Sequence, residues 1–220
     1  MKNKQNYQKM LDAILEDPAQ KGKNLLLHSC CAPCSSYVLV YLSVFFEITV
    51  FYYNPNITEE EEYRKRVREQ KRLIETLNSE SCSRFPIHIA EGDYEPDRFF
   101  RIAKGHECDK EGGERCFACY ALRLEKTAQK AASEGFDYFT TTLSISPLKN
   151  AGKLNEIGMA LAQKYHTSYL PSDFKKKNGY LTSVRLSEQY DLYRQDYCGC
   201  LYSKEERQRQ KAASNRNEVR

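Results

Sequence analysis

Asn24-Leu-Leu-Leu-His28-Ser-Cys-Cys-Ala-Pro-Cys34 is an apolar run of strand length that breaks at a cysteine-rich turn and leads, from Ser35 onward, into an apolar stretch of helical length. A buried strand feeding a helix through a short functional turn is the opening unit of an α/β fold. Outward from it the same alternation continues. The longest apolar stretch, Tyr37 to Tyr53, is interrupted by Ser43 and Glu47 and stopped by Asn54-Pro55-Asn56. It reads as a core helix running into a second strand, about Ile48 to Tyr53, and not as a membrane span. A helix over Glu59 to Leu77 has its acidic residues first and its basic ones after, the order that suits a helix dipole. Phe85 to Ala90 is expected as the third strand, Glu114 to Ala132 as a long helix closed by Gly135, and Phe136 to Leu143 as the fourth strand. Ile157 to Tyr165 reads as a further helix and Thr167 to Leu170 as a short fifth strand. The predicted fold class is α/β with a mostly parallel sheet.

At 220 residues the chain is long enough for one domain that hides roughly 70 % of its unfolded surface, expected over residues 1–203. The net charge is only +4 and it is uneven. From Leu201 to Arg220 there are six Lys or Arg (204, 207, 209, 211, 216, 220) against three Glu (205, 206, 218). Residues 204–220 therefore read as a charged C-terminal tail, disordered or a frayed helix. Its role is either solubilising or a salt-sensitive contact with nucleic acid.

The chain holds nine cysteines, an odd number, and opens MKNKQNYQKMLDAILEDP, without the apolar stretch and small-residue cleavage site of a signal peptide. The expected compartment is the reducing cytoplasm, where clustered cysteines serve metal or redox chemistry more often than structural bridges. In open parallel sheets ligands sit beyond the carboxyl ends of the strands. Cys30 and Cys31 lie just past the first strand, and Ser144 to Pro147 just past the fourth. Cys116 and Cys119 fall at the start of the long helix, whose free N–H groups favour an anion.

Four soft thiolates select zinc or an iron–sulfur cluster over hard cations. Zinc sites pair two C-x-x-C knuckles, and Cys31-x-x-Cys34 with Cys116-x-x-Cys119 could supply them. The adjacent pair Cys30-Cys31 is expected to point apart, which suits the wider corners of a cubane, so spacing leaves both metals open. Cys82 and Cys108 read as inert thiols. Cys198-Gly199-Cys200 admits a small strained disulfide, the labile kind that cycles, or two reduced thiols in a loop. His28 is either a proton donor near the site or a hydrogen-bonded structural residue. Asp173 with Lys175, Lys176 and Lys177 forms a charged loop. Its lysines, with Tyr169 and Tyr180, would suit phosphate and base contacts if the substrate is a nucleic acid; sixteen tyrosines and no tryptophan fit that use.

His28-Ser-Cys-Cys-Ala-Pro-Cys34, Tyr53-Asn-Pro-Asn-Ile57, Arg115-Cys-Phe-Ala-Cys-Tyr120-Ala-Leu-Arg123-Leu, Thr140 to Asn150, Asp173-Phe-Lys-Lys and Tyr190 to Cys200 occur in this order over roughly residues 20–203. In these blocks the chain resembles the QueH-type epoxyqueuosine reductases. The resemblance implies a doubly wound sheet similar to the adenine nucleotide alpha hydrolases. It also implies the last step of queuosine synthesis, in which the epoxide of epoxyqueuosine at the tRNA wobble position is reduced. The glycine-rich phosphate loop of nucleotide-hydrolysing relatives is replaced here by Ser29-Cys-Cys-Ala-Pro-Cys34, which speaks against ATP use. Carried over, the resemblance makes Cys30, Cys31, Cys116 and Cys119 the ligands of a [4Fe-4S] cluster, and Cys198 with Cys200 a redox-active pair. An additional iron held partly by Cys34 enters as a hypothesis. The partners implied are a tRNA carrying epoxyqueuosine and an electron donor, with no membrane. Rival readings are a zinc-stabilised tRNA-binding protein and a tRNA-thiolation protein, the latter needing an ATP loop.

Overall fold

Leu25, Leu26 and Leu27 are all fully buried, which a strand achieves only when both faces of its sheet are covered. The computed structural model describes residues 5–80 and 84–218, with side chains through residue 214; Cys82 lies outside the described residues. In chain order the elements are α1 (Tyr7–Glu16), β1 (Asn24–His28), α2 (Ala32–Leu42), β2 (Glu47–Tyr52), α3 (Glu60–Ser79) and β3 (His88–Glu91). They continue with α4 (Pro96–Ala103), α5 (Glu114–Ser133), β4 (Tyr138–Thr141), α6 (Ala151–Tyr165), α7 (Gly179–Gln189) and α8 (Leu201–Glu218).

The four strands are all parallel, in the order β3-β2-β1-β4. Leu25 and Leu27 join a core with Val38 and Leu39 of α2 and Leu73 of α3. Leu26 points the other way, into a core with Ala128 and Ala131 of α5 and Phe139 of β4. The sheet is therefore wound on both faces, the α/β class read from the sequence. The chain steps outward from β1 to β2 to β3, then returns to lay β4 on the opposite side of β1. This reversal places the topological switch point between the carboxyl ends of β1 and β4, where His28 pairs in register with Thr141.

Several boundaries differ from the sequence reading for local reasons. The expected fifth strand is a single parallel bridge between Phe139 and Tyr169, with Phe139 N–H bonded to Ser168 O and Leu170 N–H to Phe139 O, each 2.9 Å. Pro171 follows and has no N–H with which to extend the ladder. β4 stops at Thr141, whose hydroxyl accepts from Leu143 N–H and starts a 3-10 turn over Thr142–Ile145. Helix α6 begins six residues earlier than its apolar period, capped by the Asn150 side chain on Lys153 N–H at 3.0 Å. Gly135, at φ +71, does close α5, with Phe136 N–H returning to Ala131 O at 3.0 Å.

The charged tail takes the helical of its two readings. Residues read as disordered or frayed form helix α8, because its first turn is tied to the body. Ser203 is buried and accepts from Cys198 N–H at 3.0 Å, and Lys204 pairs with Glu59. Such anchoring offsets the cost of helix nucleation, which the polar composition alone does not cover. Among the described residues no helix is long and apolar enough to cross a membrane.

Helix α6 lies against Tyr169 through Gly158, where an added Cβ would sit 2.4 Å from two ring atoms. Gly158→Ala is expected to destabilise the fold by about 1–3 kcal/mol through overpacking, read as a fall in melting temperature of about 2–4 °C for each kcal/mol. An unchanged melting temperature would contradict this packing.

Candidate functional site

The turn after β1 is built to hold sulfur atoms together. Ser29 N–H is bonded to Phe51 O, and its carbonyl accepts from Asn54 Nδ2 at 2.8 Å. The buried hydroxyls of Ser29 and Ser35 meet at 2.6 Å, and both reach Gln70 Oε1 at 2.7 Å. Cys31 is extended as the cap of α2, and Pro33 pre-sets the first turn. The Sγ atoms of Cys30, Cys31 and Cys34 consequently all lie within 4.8 Å of one another, Cys30 and Cys31 only 3.7 Å apart. The expectation that the adjacent pair points apart is thus corrected: the turn bends both sulfurs to one side. Hydrogen bonds from the Cys31 and Cys34 thiols draw Cys30 well below its ordinary pKa, and Cys31 is pushed up to about 12 by the same contact.

Cys116 and Cys119 stand outside this group of three, on the opening turns of α5. Arg115, almost wholly buried, shapes the preceding loop by donating from one nitrogen to the carbonyls of His106, Glu107 and Asp109 at 2.9, 3.0 and 2.6 Å. The loop then presents Gly112 N–H to Cys116 Sγ at 3.2 Å. Burial raises Cys116 and pushes Cys119 up to about 11. Cys30 and Cys116 pack against the same apolar cluster of Tyr120, Leu124, Leu143 and Leu154, and Cys119 joins Cys200, Phe99 and Ala103 in another. Cys116, Cys119, Cys198 and Cys200 line one small cavity with Asn56, and Cys198 also walls the neighbouring cleft with Cys30 and Cys34. Every cysteine singled out from the sequence is therefore at the switch point, and Cys108, read as inert, is exposed.

Cys198 and Cys200 are free thiols in this structure. Gly199 between them has φ +114, and a Cβ there would meet Ile57 Cγ1 at 2.8 Å, so glycine is required both by conformation and by space. Cys200 is buried and pushed up to about 12. Cys198 is partly exposed, with Lys149 Nζ 3.5 Å from its sulfur and Arg66 donating to its carbonyl at 3.2 Å.

The buried cations were not assigned from the sequence. Arg123, one turn beyond Cys119, donates to Asn54 Oδ1 at 2.5 Å, its Nε lies 3.3 Å from His28 Nε2, and its third nitrogen is buried without a partner. Burial opposes its charge, but Cys119, Cys30 and Cys198 more than restore it. Lys149 behaves alike: burial would lower its pKa, yet the charges of Cys198, Tyr120, Cys30 and Glu111 hold it well above its ordinary value. The i,i+4 spacing of Cys119 and Arg123 was the available signal for one of them; Lys149 and Arg66 come from remote segments and gave none.

His28 is structural. Its Nε2 faces Tyr53 O at 3.1 Å, which can only accept, and Arg123 Nε–H at 3.3 Å, which can only donate, while Nδ1 lies 2.9 Å from the Thr141 hydroxyl, so both ring nitrogens are engaged in either tautomer. Burial first and Arg123 second push its pKa down to about 3, which keeps it neutral and unable to serve as an acid. The unfolded chain takes up a proton at this histidine below about pH 6.5 and the folded one does not. Stability is therefore expected to fall as pH drops from about 6.5 towards 3, on the order of 1.4 kcal/mol per pH unit from this residue. Urea unfolding of wild type and His28→Asn at about pH 7 and about pH 5 should show a steeper loss in the wild type; parallel losses would refute the assignment.

Together these features define a doubly wound α/β protein with a thiol centre, suited to soft-metal binding or thiol redox chemistry. A sequence profile of the family described as Epoxyqueuosine reductase QueH matches residues 25–206. The Epoxyqueuosine reductase QueH of Streptococcus pyogenes serotype M1 is 43% identical over 200 residues, 90% of this chain and 78% of the relative. That of Staphylococcus epidermidis is 40% identical over 208 residues, 92% and 87% of the two chains, and that of Thermotoga maritima 32% identical over 195 residues, 87% and 96%. The chain belongs to the epoxyqueuosine reductase QueH family, a family of oxidoreductases.

Proposed function

We propose that this protein reduces the epoxide of epoxyqueuosine in tRNA to queuosine, in the cytoplasm, drawing electrons from a separate donor. The observation that carries the reading beyond family membership is a cleft of about 320 Å³ at the switch point, lined by Cys30, Cys34, Cys198, Arg66 and Lys149, beside a smaller cavity lined by Cys116, Cys119, Cys198, Cys200, Arg123 and Lys149. Ligand pockets commonly begin near this size.

The residues suit an iron–sulfur cluster. Thiolates are soft ligands, and Arg123, Arg66 and Lys149 supply the positive charge that an anionic, thiolate-ligated group needs when buried; one Arg123 nitrogen is still unpaired. Cys30, Cys31, Cys116 and Cys119 would hold a [4Fe-4S] cluster, and Cys34, beside Cys30 and Cys31, would remain available to an additional iron. Such a cluster supplies electrons one at a time at a potential set by its surroundings.

Removing an epoxide oxygen as water, leaving an alkene, consumes two electrons and two protons. Oxidising Cys198 and Cys200 to a disulfide releases two of each, so one dithiol balances one turnover. Cys198 forms part of the cleft wall and Cys200 lies behind it beside Cys119. Lys149 holds a proton 3.5 Å from Cys198 Sγ and places a positive charge where the epoxide oxygen would become anionic.

Anaerobically purified protein is expected to be brown, with about four irons and four sulfides per chain, and to convert epoxyqueuosine in tRNA to queuosine. Cys30→Ala and Cys116→Ala should lose iron and activity together. Cys198→Ser should keep the visible spectrum while multiple turnover falls by at least about a hundredfold, the scale of losing a reacting group. The close grouping of Cys30, Cys31 and Cys34 also suits a single ion. Colourless protein holding one zinc and no activity after cluster reconstitution would transfer the site to a zinc-stabilised tRNA-binding protein.

A further inference from the structure

Cys31-Ala-Pro-Cys34 carries a chemistry separate from metal ligation. A Cys-x-x-Cys pair at the amino end of a helix that follows a parallel strand is the arrangement of dithiol redox sites. Here Cys31 caps α2, Pro33 lies in its first turn and Cys34 stands on that turn. The backbone between them is pinned. The Cys31 carbonyl accepts from Ser35 N–H at 3.1 Å and from the Ser35 hydroxyl at 2.8 Å, and the Pro33 carbonyl accepts from the Ser36 hydroxyl at 3.0 Å. The two sulfurs lie within 4.8 Å of each other. Residues three apart on a helical turn keep their Cα atoms inside the roughly 7 Å that a disulfide spans, so side-chain rotation can bring the sulfurs to about 2.05 Å.

Cys30 is the worse partner for either thiol. A bond to its neighbour Cys31 would close a very small ring and force the shared peptide out of planarity, and its sulfur faces the turn after β4, 3.8 Å from Thr142 Oγ1. Cys31 and Cys34 also differ in access. Cys34 lines the cleft, whereas Cys31 does not and is only 1% exposed.

We propose that Cys31 and Cys34 form a reversible disulfide that closes the thiol centre to metal. The Cys34 sulfur, the first of the two to be met, attacks a low-molecular-weight disulfide entering by the cleft; the S–S bond of that molecule breaks and one thiol leaves. Cys31 then attacks the Cys34 sulfur of the mixed disulfide, forms the internal bond and releases the second thiol. The protein has lost two electrons and two protons, and the small disulfide has gained them as two thiols. Cys31 then has no thiolate to give a metal. A small dithiol using the same cleft reverses both steps, so assembly of the centre follows the redox state of the surrounding thiols. The bond itself is independent of what the protein reduces; its consequence for loading rests on the soft-metal reading of the site.

In the test, full-length protein freed of metal by chelation is incubated with 2-hydroxyethyl disulfide, blocked with N-ethylmaleimide and cut with trypsin. The peptide of residues 24–64 holds Cys30, Cys31 and Cys34 and no other cysteine, and its labels are located by mass spectrometry. It is expected to carry a label on Cys30 alone, and on all of its cysteines when dithiothreitol precedes the block. Cys30→Ser should form the same internal bond and Cys34→Ser should form none. Loading is read in Cys198→Ser, where the Cys198–Cys200 pair cannot oxidise, from the thiolate-to-metal absorption of cobalt(II) added anaerobically. That absorption should be lost on treatment with the disulfide and return after dithiothreitol is added and removed. Labels on every cysteine of the treated wild-type peptide, a bond that includes Cys30, or undiminished cobalt absorption once the bond has formed would each overturn the proposal. None of these readings uses epoxyqueuosine, so a wild type that fails to reduce it removes the reductase reading and leaves this one to be decided by mass and by cobalt.

Discussion

Arg123 is the constraint on which this site is built. A guanidinium buried in the middle of an α/β protein needs counter-charge, because desolvating an unpaired cation costs several kcal/mol. Its two nearest side-chain partners, the His28 ring and the Asn54 amide, are both neutral. The compensating charge therefore falls first to Cys30, whose pKa is drawn well below its ordinary value, whereas Cys119, pushed up to about 11 by burial, would add to it only when its proton is displaced, as on binding a metal. The same side chain joins α5 to the ends of β1 and β2, so the geometry of the sheet and the ionisation of the sulfurs depend on each other. Lys149 repeats the arrangement from the loop after β4, held between Cys198 and Glu111.

Topology explains why cysteines so far apart in sequence converge. In a sheet wound outward and then back, the first and last strands lie side by side, and the two loops leaving them part at their carboxyl ends. Cys30, Cys31 and Cys34 leave β1 on one side of that parting. Lys149 arrives from β4 on the other, α5 brings Cys116 and Cys119 across the opposite face, and the segment after α7 closes over the top with Cys198 and Cys200. A phosphate-binding fold of this shape would offer backbone N–H groups in a glycine-rich turn. Here Pro33 and three cysteines occupy that turn, and side-chain sulfur replaces the backbone as the binding element.

Much of this was legible in the sequence because it rests on short-range rules. The three buried leucines of β1, the Asn54-Pro55 stop, the acidic-to-basic run of α3 and the Gly135 terminator each state their structure locally. The cysteines were legible by residue type and spacing. What was not legible depends on distant partners. The polar composition of α8 predicts no stable helix, and contacts from remote segments supply one: Ser203 and Lys204 reach back to Cys198 and Glu59, Glu206 accepts from Glu111 N–H, and Lys211 pairs with Asp196. Phe139 offers a full edge for a fifth strand, but Pro171 ends the pairing after one bridge. The convergence of Cys30 with Cys31 depends on the Ser29–Ser35–Gln70 bonds, and Gln70 lies a helix and a strand away. Arg66 and Lys149 look like ordinary surface residues in the sequence; burial alone gives them meaning.

The Cys-Gly-Cys segment shows how one residue separates two chemical environments. With Gly199 at φ +114, Cys198 stands on the cleft wall beside a lysine, and Cys200 is buried beside Phe99 and Cys119. An external thiol entering by the cleft would meet Cys198 first, since thiol exchange follows access. In the proposed reductase the pair thus spans the distance between the substrate space and the deeper thiols, and a side chain at 199 would have to displace Ile57 to permit it. The loss of freedom that glycine suffers on folding is accepted here, because no other residue turns the chain sharply enough to place one sulfur in the cleft and the other behind it.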